Sequence, residues 1–356
     1  MRMRLQPLDR QVVVITGASS GIGLATAAAA AAYGASVVLA ARSAETLSLI
    51  ADEIGRHGGR AVAVPADVSK REDVERIAQV AMERFGRVDT WVNDASVSIY
   101  GRLTDVSDED ARRIMDVNFW GVWHGSRVAV PLLARQGGAL INVGSEVSDT
   151  WVPLQGIYAA TKHAVKGFTE ALRLEIEDIG NPVSVTLIQP TAVDTPFPDH
   201  AKNLMSAQPK LPTPMIAPER VADAILDAAT TPRRDVRVGA GASFNVMTAR
   251  MAPLFADVGM KLQIGRQQRA EPPADPLGAL ERPSEATLAG AGAIHGRGNR
   301  NATKGREKKA IVERDRERSR SRVEHAAASG GASVGPSGGA SVGASRTGAS
   351  GEGSRG

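Results

Sequence analysis

Tyr158 and Lys162 stand four residues apart, and Ser145 precedes the tyrosine by thirteen. Residues four apart on a helix share one face, which lays the lysine ammonium beside the phenol. A free phenol has a pKa of about 10 and is a poor base at neutral pH, whereas a neighbouring cation favours the phenolate. A serine hydroxyl close to that pair can hydrogen-bond a reacting oxygen. Together the three residue types are equipment for moving a proton to or from a carbonyl or alcohol. Singly, each has a plainer reading: a core tyrosine, a surface lysine, a serine in a strand-end turn. Their joint spacing speaks against all of these holding at once.

A second motif lies far upstream. Val12-Val13-Val14-Ile15-Thr16 reads as a buried strand, followed by the turn Gly17-Ala18-Ser19-Ser20-Gly21-Ile22-Gly23 and an Ala-rich helix. Glycines at 17, 21 and 23 let the backbone approach a pyrophosphate, whose charge the helix N-terminus stabilises. The next strand ends Ala40-Ala41-Arg42-Ser43. The acid that holds the ribose 2′-hydroxyl of NAD in dinucleotide folds is missing there, while Arg42 suits the 2′-phosphate of NADP. A solvated surface arginine is the competing reading. Asp67 and Val68 follow the third strand, where they reach an adenine edge or simply cap the strand. Phosphate cradle plus proton-transfer group specifies a carbonyl–alcohol oxidoreductase using NADP(H), with NAD(H) the lesser expectation.

The elements that must position these groups follow from apolar patterning. Continuous apolar runs predict strands at 12–16, 36–41, 61–64, 89–93, 139–143, 183–188 and 235–238. Helices are expected at 21–33, 44–56, 70–85, 108–133, 158–179 and 218–229. This alternation predicts α/β architecture: one doubly wound, Rossmann-type parallel sheet in a single domain spanning 1–265. Residues 191–217 break the rhythm with five prolines among apolar residues, the pattern of a substrate lid. A Met-rich amphipathic stretch at 241–265 packs on its own domain or a twin, with a membrane surface as the lesser alternative.

Beyond residue 265 the composition changes. Residues 271–356 hold 14 Lys+Arg and 10 Asp+Glu, leaving 29 of each for residues 1–270. Gly-Gly-Ala-Ser-Val-Gly occurs twice, at 330–335 and 338–343. Such a segment buries too little apolar surface to offset chain entropy, so 266–356 is expected to be a disordered tail. It lacks aromatic residues for base stacking between 316 and 322, and acids dilute its arginines, so no nucleic-acid partner is expected. The chain has no cysteine, which removes disulfides and thiolate chemistry. Neither a signal peptide nor a membrane span is expected; residues 24–41 are interrupted by Gly34 and belong to the nucleotide-binding pattern. A cytoplasmic homodimer or homotetramer acting on an apolar small molecule, without a metal, fits these features. The rival is a non-catalytic NADP sensor or partner-binding protein whose tail contacts a partner or nucleic acid; retention of both Tyr158 and Lys162 counts against it.

Residues 8–240 resemble the short-chain dehydrogenase/reductase family in its single-domain form, with motifs in the family's order and spacing. The resemblance implies a catalytic tetrad of Asn118, Ser145, Tyr158 and Lys162, with Asn118 holding a water in a proton relay. It also implies cofactor contacts from Gly17, Ser19, Gly21, Ile22 and Gly23, adenine-side contacts from Asp67 and Val68, a ribose-side contact from Asn93 and a carboxamide contact from Thr195. Lys162 is implied to touch the nicotinamide ribose and to lower the Tyr158 pKa. Two departures stand out. The family's Asn-Asn-Ala-Gly reads Asn93-Asp94-Ala95-Ser96, and its Pro-Gly reads Pro190-Thr191.

Overall fold

Every residue of the first strand, β1 (Val12–Thr16), is buried. Val12 and Val14 enter one core layer, and Val13 and Ile15 enter the other. Alternate side chains of a strand point to opposite faces, so an unbroken apolar run suits only a sheet covered on both sides. Full burial of each such side chain contributes about 1.5–3 kcal/mol. The computed structural model describes residues 4–212, 214–239, 251–267, 272–283 and 293–296.

The remaining strands are β2 (Ser36–Ala41), β3 (Arg60–Pro65), β4 (Thr90–Asn93), β5 (Ile99–Tyr100), β6 (Gly138–Val143), β7 (Val183–Pro190), β8 (Lys202–Asn203) and β9 (Asp235–Val238). Seven of them form one parallel, doubly wound sheet, as the sequence led us to expect, and their order is β3-β2-β1-β4-β6-β7-β9. β5 and β8 make a separate two-stranded parallel ladder. Strand order reverses between β1 and β4. In such sheets ligands bind in the crevice beyond the strand ends at that switch point. Thr16 and Asn93, the last residues of β1 and β4, lie opposite each other in register there.

The helices are α1 (Gly21–Ala32), α2 (Ala44–Arg56), α3 (Arg71–Phe85), α4 (Asp108–Met115), α5 (Gly121–Leu133), α6 (Gly156–Asp178), α7 (Phe197–His200), α8 (Pro218–Thr230) and α9 (Pro253–Arg266). Local chemistry sets several ends. Ser43 and Ser107 accept backbone amides at the starts of α2 and α4, and Gly86 closes α3 at φ +73°. The helix expected at 108–133 is interrupted by a π turn, Asp116–Trp120, between α4 and α5. Such turns insert a wider ring into a helix and recur at functional sites; this one carries Asn118.

Among the described residues of 191–217, the segment expected to be a lid, α7 and β8 are the regular structure. A bridge between Val193 and Ile216 closes its base. Packing of the described residues continues past residue 265. Leu280 is 1% exposed and joins the core layer that holds Val68 and Val74. One leucine among prolines, glycines and charges leaves no periodic signal, which is why composition alone did not mark it. The charged run 304–322 and the Gly/Ser repeats lie outside the described residues, as does the 240–250 part of the Met-rich stretch. Among the described residues, no helix is long and apolar enough to cross a membrane.

Candidate active site

The Gly-rich turn is built by close approach. Gly17 has φ +76°, and a Cβ there would fall 2.9 Å from the Ala95 backbone. A Cβ on Gly23 would fall 2.3 Å from the Gly17 carbonyl oxygen. Thr16 Oγ1 accepts the amides of Asp94 (3.2 Å) and Ala95 (3.3 Å), which seats the segment after β4 against the turn. Asp94 then accepts the Gly23 amide.

Across the cleft, α6 presents Tyr158 and Lys162, and the end of β6 leads to Ser145. The Ser145 hydroxyl lies close enough to the Tyr158 phenol to act on its pKa. Lys162 donates to the Val143 carbonyl at 2.9 Å, and its ammonium lies 5.6 Å from the Tyr158 ring centroid. The sequence-predicted triad is therefore assembled. Burial pushes the Tyr158 pKa well up; the Ser145 hydroxyl opposes this, and the charges of Asp94 and Glu146 add to it. Burial likewise lowers Lys162, against the pull of the Asp94 carboxylate, and raises Asp94. In this geometry desolvation dominates and the Lys162 ammonium does not depress the phenol as the resemblance implied, so Tyr158 is protonated at neutral pH.

One cavity of about 700 Å³ joins these parts. Gly17, Ser19, Gly21, Ile22, Arg42, Asp67, Val68 and Thr195 line it together with Ser145, Tyr158 and Lys162. Asp67 spends its carboxylate on Ser69 (2.7 Å) and Arg113 (2.7 Å). Burial alone would raise its pKa, but those hydrogen bonds hold it below the usual value.

Two expected residues do not reach the cleft with their side chains. The Asn93 amide is buried between β4 and β6, accepting from Trp91 Nε1 and donating to Asn142 Oδ1, each at 2.8 Å. Its ribose contact is thus not available to the side chain. Asn118 is fully buried and ties the segment after β4 to α6: Oδ1 accepts the Val97 amide at 2.8 Å, and Nδ2 donates to Val97 O (2.9 Å) and Thr161 Oγ1 (3.1 Å). Both Nδ2 hydrogens of the side chain are thus spent on Val97 and Thr161.

Other residues enter the site without a clear sequence signal. Phe197 of the lid lies 5.5 Å from Tyr158, ring centroid to centroid. Ser96 lines the cavity, and its Oγ is buried without a hydrogen-bond partner. Thr191, the second departure, donates to Glu146 at 3.0 Å. Arg42 donates to the main-chain carbonyls of Ala279 and Leu280. No group of three or more potential metal ligands occurs among the described residues.

A family model described as short chain dehydrogenase matches residues 11–204. The chain belongs to the short chain dehydrogenase family. It is 47% identical over 278 residues to the uncharacterized oxidoreductase YxnA of Bacillus subtilis, covering 77% of this chain and 78% of that one. Among solved structures, a short chain dehydrogenase/reductase from Burkholderia phymatum in complex with NAD aligns with a TM-score of 0.64 at 28% identity, covering 77% of this chain and all of that one. An alcohol dehydrogenase from the archaeon Thermococcus sibiricus, complexed with 5-hydroxy-NADP, aligns with a TM-score of 0.56 at 33% identity, covering 64% and 94%. This short chain dehydrogenase is therefore an oxidoreductase with a nicotinamide-binding fold, and its neighbours span both cofactor types.

Proposed function

We propose that this short chain dehydrogenase interconverts a carbonyl and an alcohol with NADP(H), with Tyr158 as the general acid and base. The observation that carries the reading is one cavity holding Ser145, Tyr158 and Lys162 at one end and the Gly-rich turn at the other. The cradle fits a dinucleotide: bare Cα positions at Gly17 and Gly23 admit close packing of the turn, and Ser96 Oγ is a polar atom in need of a partner. Bound there, a nicotinamide supplies or accepts the hydride. The chain's own residues manage the proton. Tyr158, protonated at neutral pH, donates to the oxygen of a carbonyl under reduction. Ser145, beside the phenol, orients that oxygen. Lys162, fixed by the Val143 carbonyl, would hold the ribose of a bound cofactor and favour the phenolate once the proton has left. General acid–base assistance of this kind contributes about 10²–10⁴-fold.

Arg42 on the cleft wall, with no acid at the end of β2, supports NADP(H) over NAD(H). The substrate end is lined by Val147, Val152, Phe197, Leu211, Met215 and Met260, which supports an apolar substrate. Absorbance assays of a panel of apolar ketones and secondary alcohols, with all four nicotinamide forms, test the reading. Turnover is expected with NADPH or NADP+ and at least one apolar pair. Cofactor oxidation that persists at wild-type rate in Tyr158→Phe would exclude the assigned acid.

A further inference from the structure

Residues 272–283 and 293–296 lie across the rim of the cleft and occupy its anion-binding donors. Arg42 Nη1 donates to Leu280 O at 3.0 Å, and Nη2 donates to Ala279 O. The Gly21 amide, in the turn itself, donates to Ala293 O at 3.0 Å. Ala279 and Pro283 line the cavity directly.

The segment is seated on both banks. On the lid side the Asn203 amide donates to Pro276 O (2.8 Å), and the Ala279 amide donates to His200 O (2.7 Å). Gly278, at φ +56°, passes so close to Ala201 that a Cβ would lie 2.5 Å from its carbonyl carbon. On the other side Leu280 is buried and Arg113 Nε donates to Leu280 O at 3.3 Å. Near the turn, a Cβ on Gly296 would meet Thr195 O at 2.8 Å, and His295 Nε2 lies 2.9 Å from Glu219 Oε1.

We propose that this C-terminal strap is a built-in competitor of the dinucleotide: its carbonyls hold, in the free protein, the hydrogens that the 2′-phosphate and pyrophosphate require. The proposal rests on the cofactor reading above. A backbone amide has one hydrogen, so Gly21 serves the strap or a phosphate, not both. One hydrogen on each terminal nitrogen of Arg42 is also taken by the strap, which leaves the guanidinium fork turned to carbonyls. A protein whose binding-competent form is only part of the population binds more weakly by that fraction. Cofactor entry therefore carries the cost of lifting the strap, and the strap's bonds to 200–203 pass that movement to the substrate lid. NAD, with no 2′-phosphate, needs only the Gly21 anchor released.

The test uses the full chain. Gly278→Val forces a side chain onto Ala201 in a backbone conformation that valine avoids, and Leu280→Ser removes the buried anchor by a different route. Calorimetric Kd values for NADP+ are measured alongside deuterium uptake by the 272–283 peptide, which contains the Ala279 amide. If the docked form dominates by about ten to one, both variants bind NADP+ about tenfold more tightly than wild type. Saturating NADP+ should also speed uptake by that peptide in the wild-type chain. Slower uptake on adding NADP+, or variants that take up deuterium faster yet bind NADP+ no tighter, overturns the strap as a competitor. A variant chain that stays folded, exposes the strap and still binds neither NADP+ nor NAD+, like the wild type, instead overturns the cofactor reading on which the proposal depends.

Discussion

The two ends of the cleft are held in different ways. At the reacting end, Ser145, Tyr158 and Lys162 come from 18 consecutive residues and are fixed by β6 and α6. At the adenosine end, Arg42 is held by carbonyls 237 and 238 positions downstream. Chemistry that must not drift is built on rigid neighbouring elements. On the proposed reading, donors that meet and release a charged ligand are closed by a distant piece of chain. The reacting end should therefore respond to mutation in rate, and the adenosine end in affinity and cofactor choice.

The sharpest test of this contrast is Tyr158→Phe. It removes the transferable proton while keeping the ring packed against Phe197. We expect kcat/KM to fall by about 10²–10⁴-fold, with cofactor Kd near wild type. A comparable loss in Kd would mean that the two ends are not separable.

Arg42→Ala addresses the other end. Loss of a charge-assisted contact to phosphate costs about 1.5–3 kcal/mol, a contact that NAD lacks. The ratio of kcat/KM for NADP+ over NAD+ should fall by about 10–100-fold, because one tenfold step is about 1.4 kcal/mol. Freeing the strap from Arg42 removes competition that NADP+ alone meets there and so offsets part of that fall. An unchanged ratio assigns Arg42 to the strap alone.

Sequence legibility followed the same divide. The triad was readable because four-residue spacing on a helix is a local fact, and the sheet because its strands are unbroken apolar runs. The π turn was not readable: 108–133 carries a helical pattern throughout, and the widened turn reflects the tie of Asn118 to Val97 and Thr161. The burial of the Asn93 side chain was hidden for a related reason. Its position in the chain is that of the family's contact residue, but its amide is consumed by Trp91 and Asn142. The strap was least readable. Its anchors are main-chain carbonyls, which no side-chain pattern announces, and among its described residues Ala279 and Leu280 are the buried apolar groups.

Asp94→Asn probes a smaller effect that bridges the two ends. The Asp94 carboxylate favours the Lys162 ammonium, so it raises a pKa that burial depresses. Removing the charge lets Lys162 lose its proton at lower pH. The alkaline limb of kcat/KM should shift downward by about one unit, read from a profile between pH 6 and 10. A shift to higher pH would mean that Asp94 does not face Lys162 as its ammonium partner.

The smallest effect is expected from removing residues 301–356. They lie beyond the strap, carry no motif of the site, and have a composition too poor in apolar residues to add a core. Segments of this kind contribute little to the stability of the domain they follow. A chain ending at Arg300 should match the full chain in Tm, kcat/KM and oligomer size, whereas one ending at Gln267 also loses the strap. The pair separates two meanings of the word tail. If the Arg300 chain binds NADP+ more tightly, the last 56 residues help to hold the strap down, and the competing element is longer than the residues seen against Arg42 and Gly21. If only the Gln267 chain does so, the competitor ends with the carbonyls that meet those two donors.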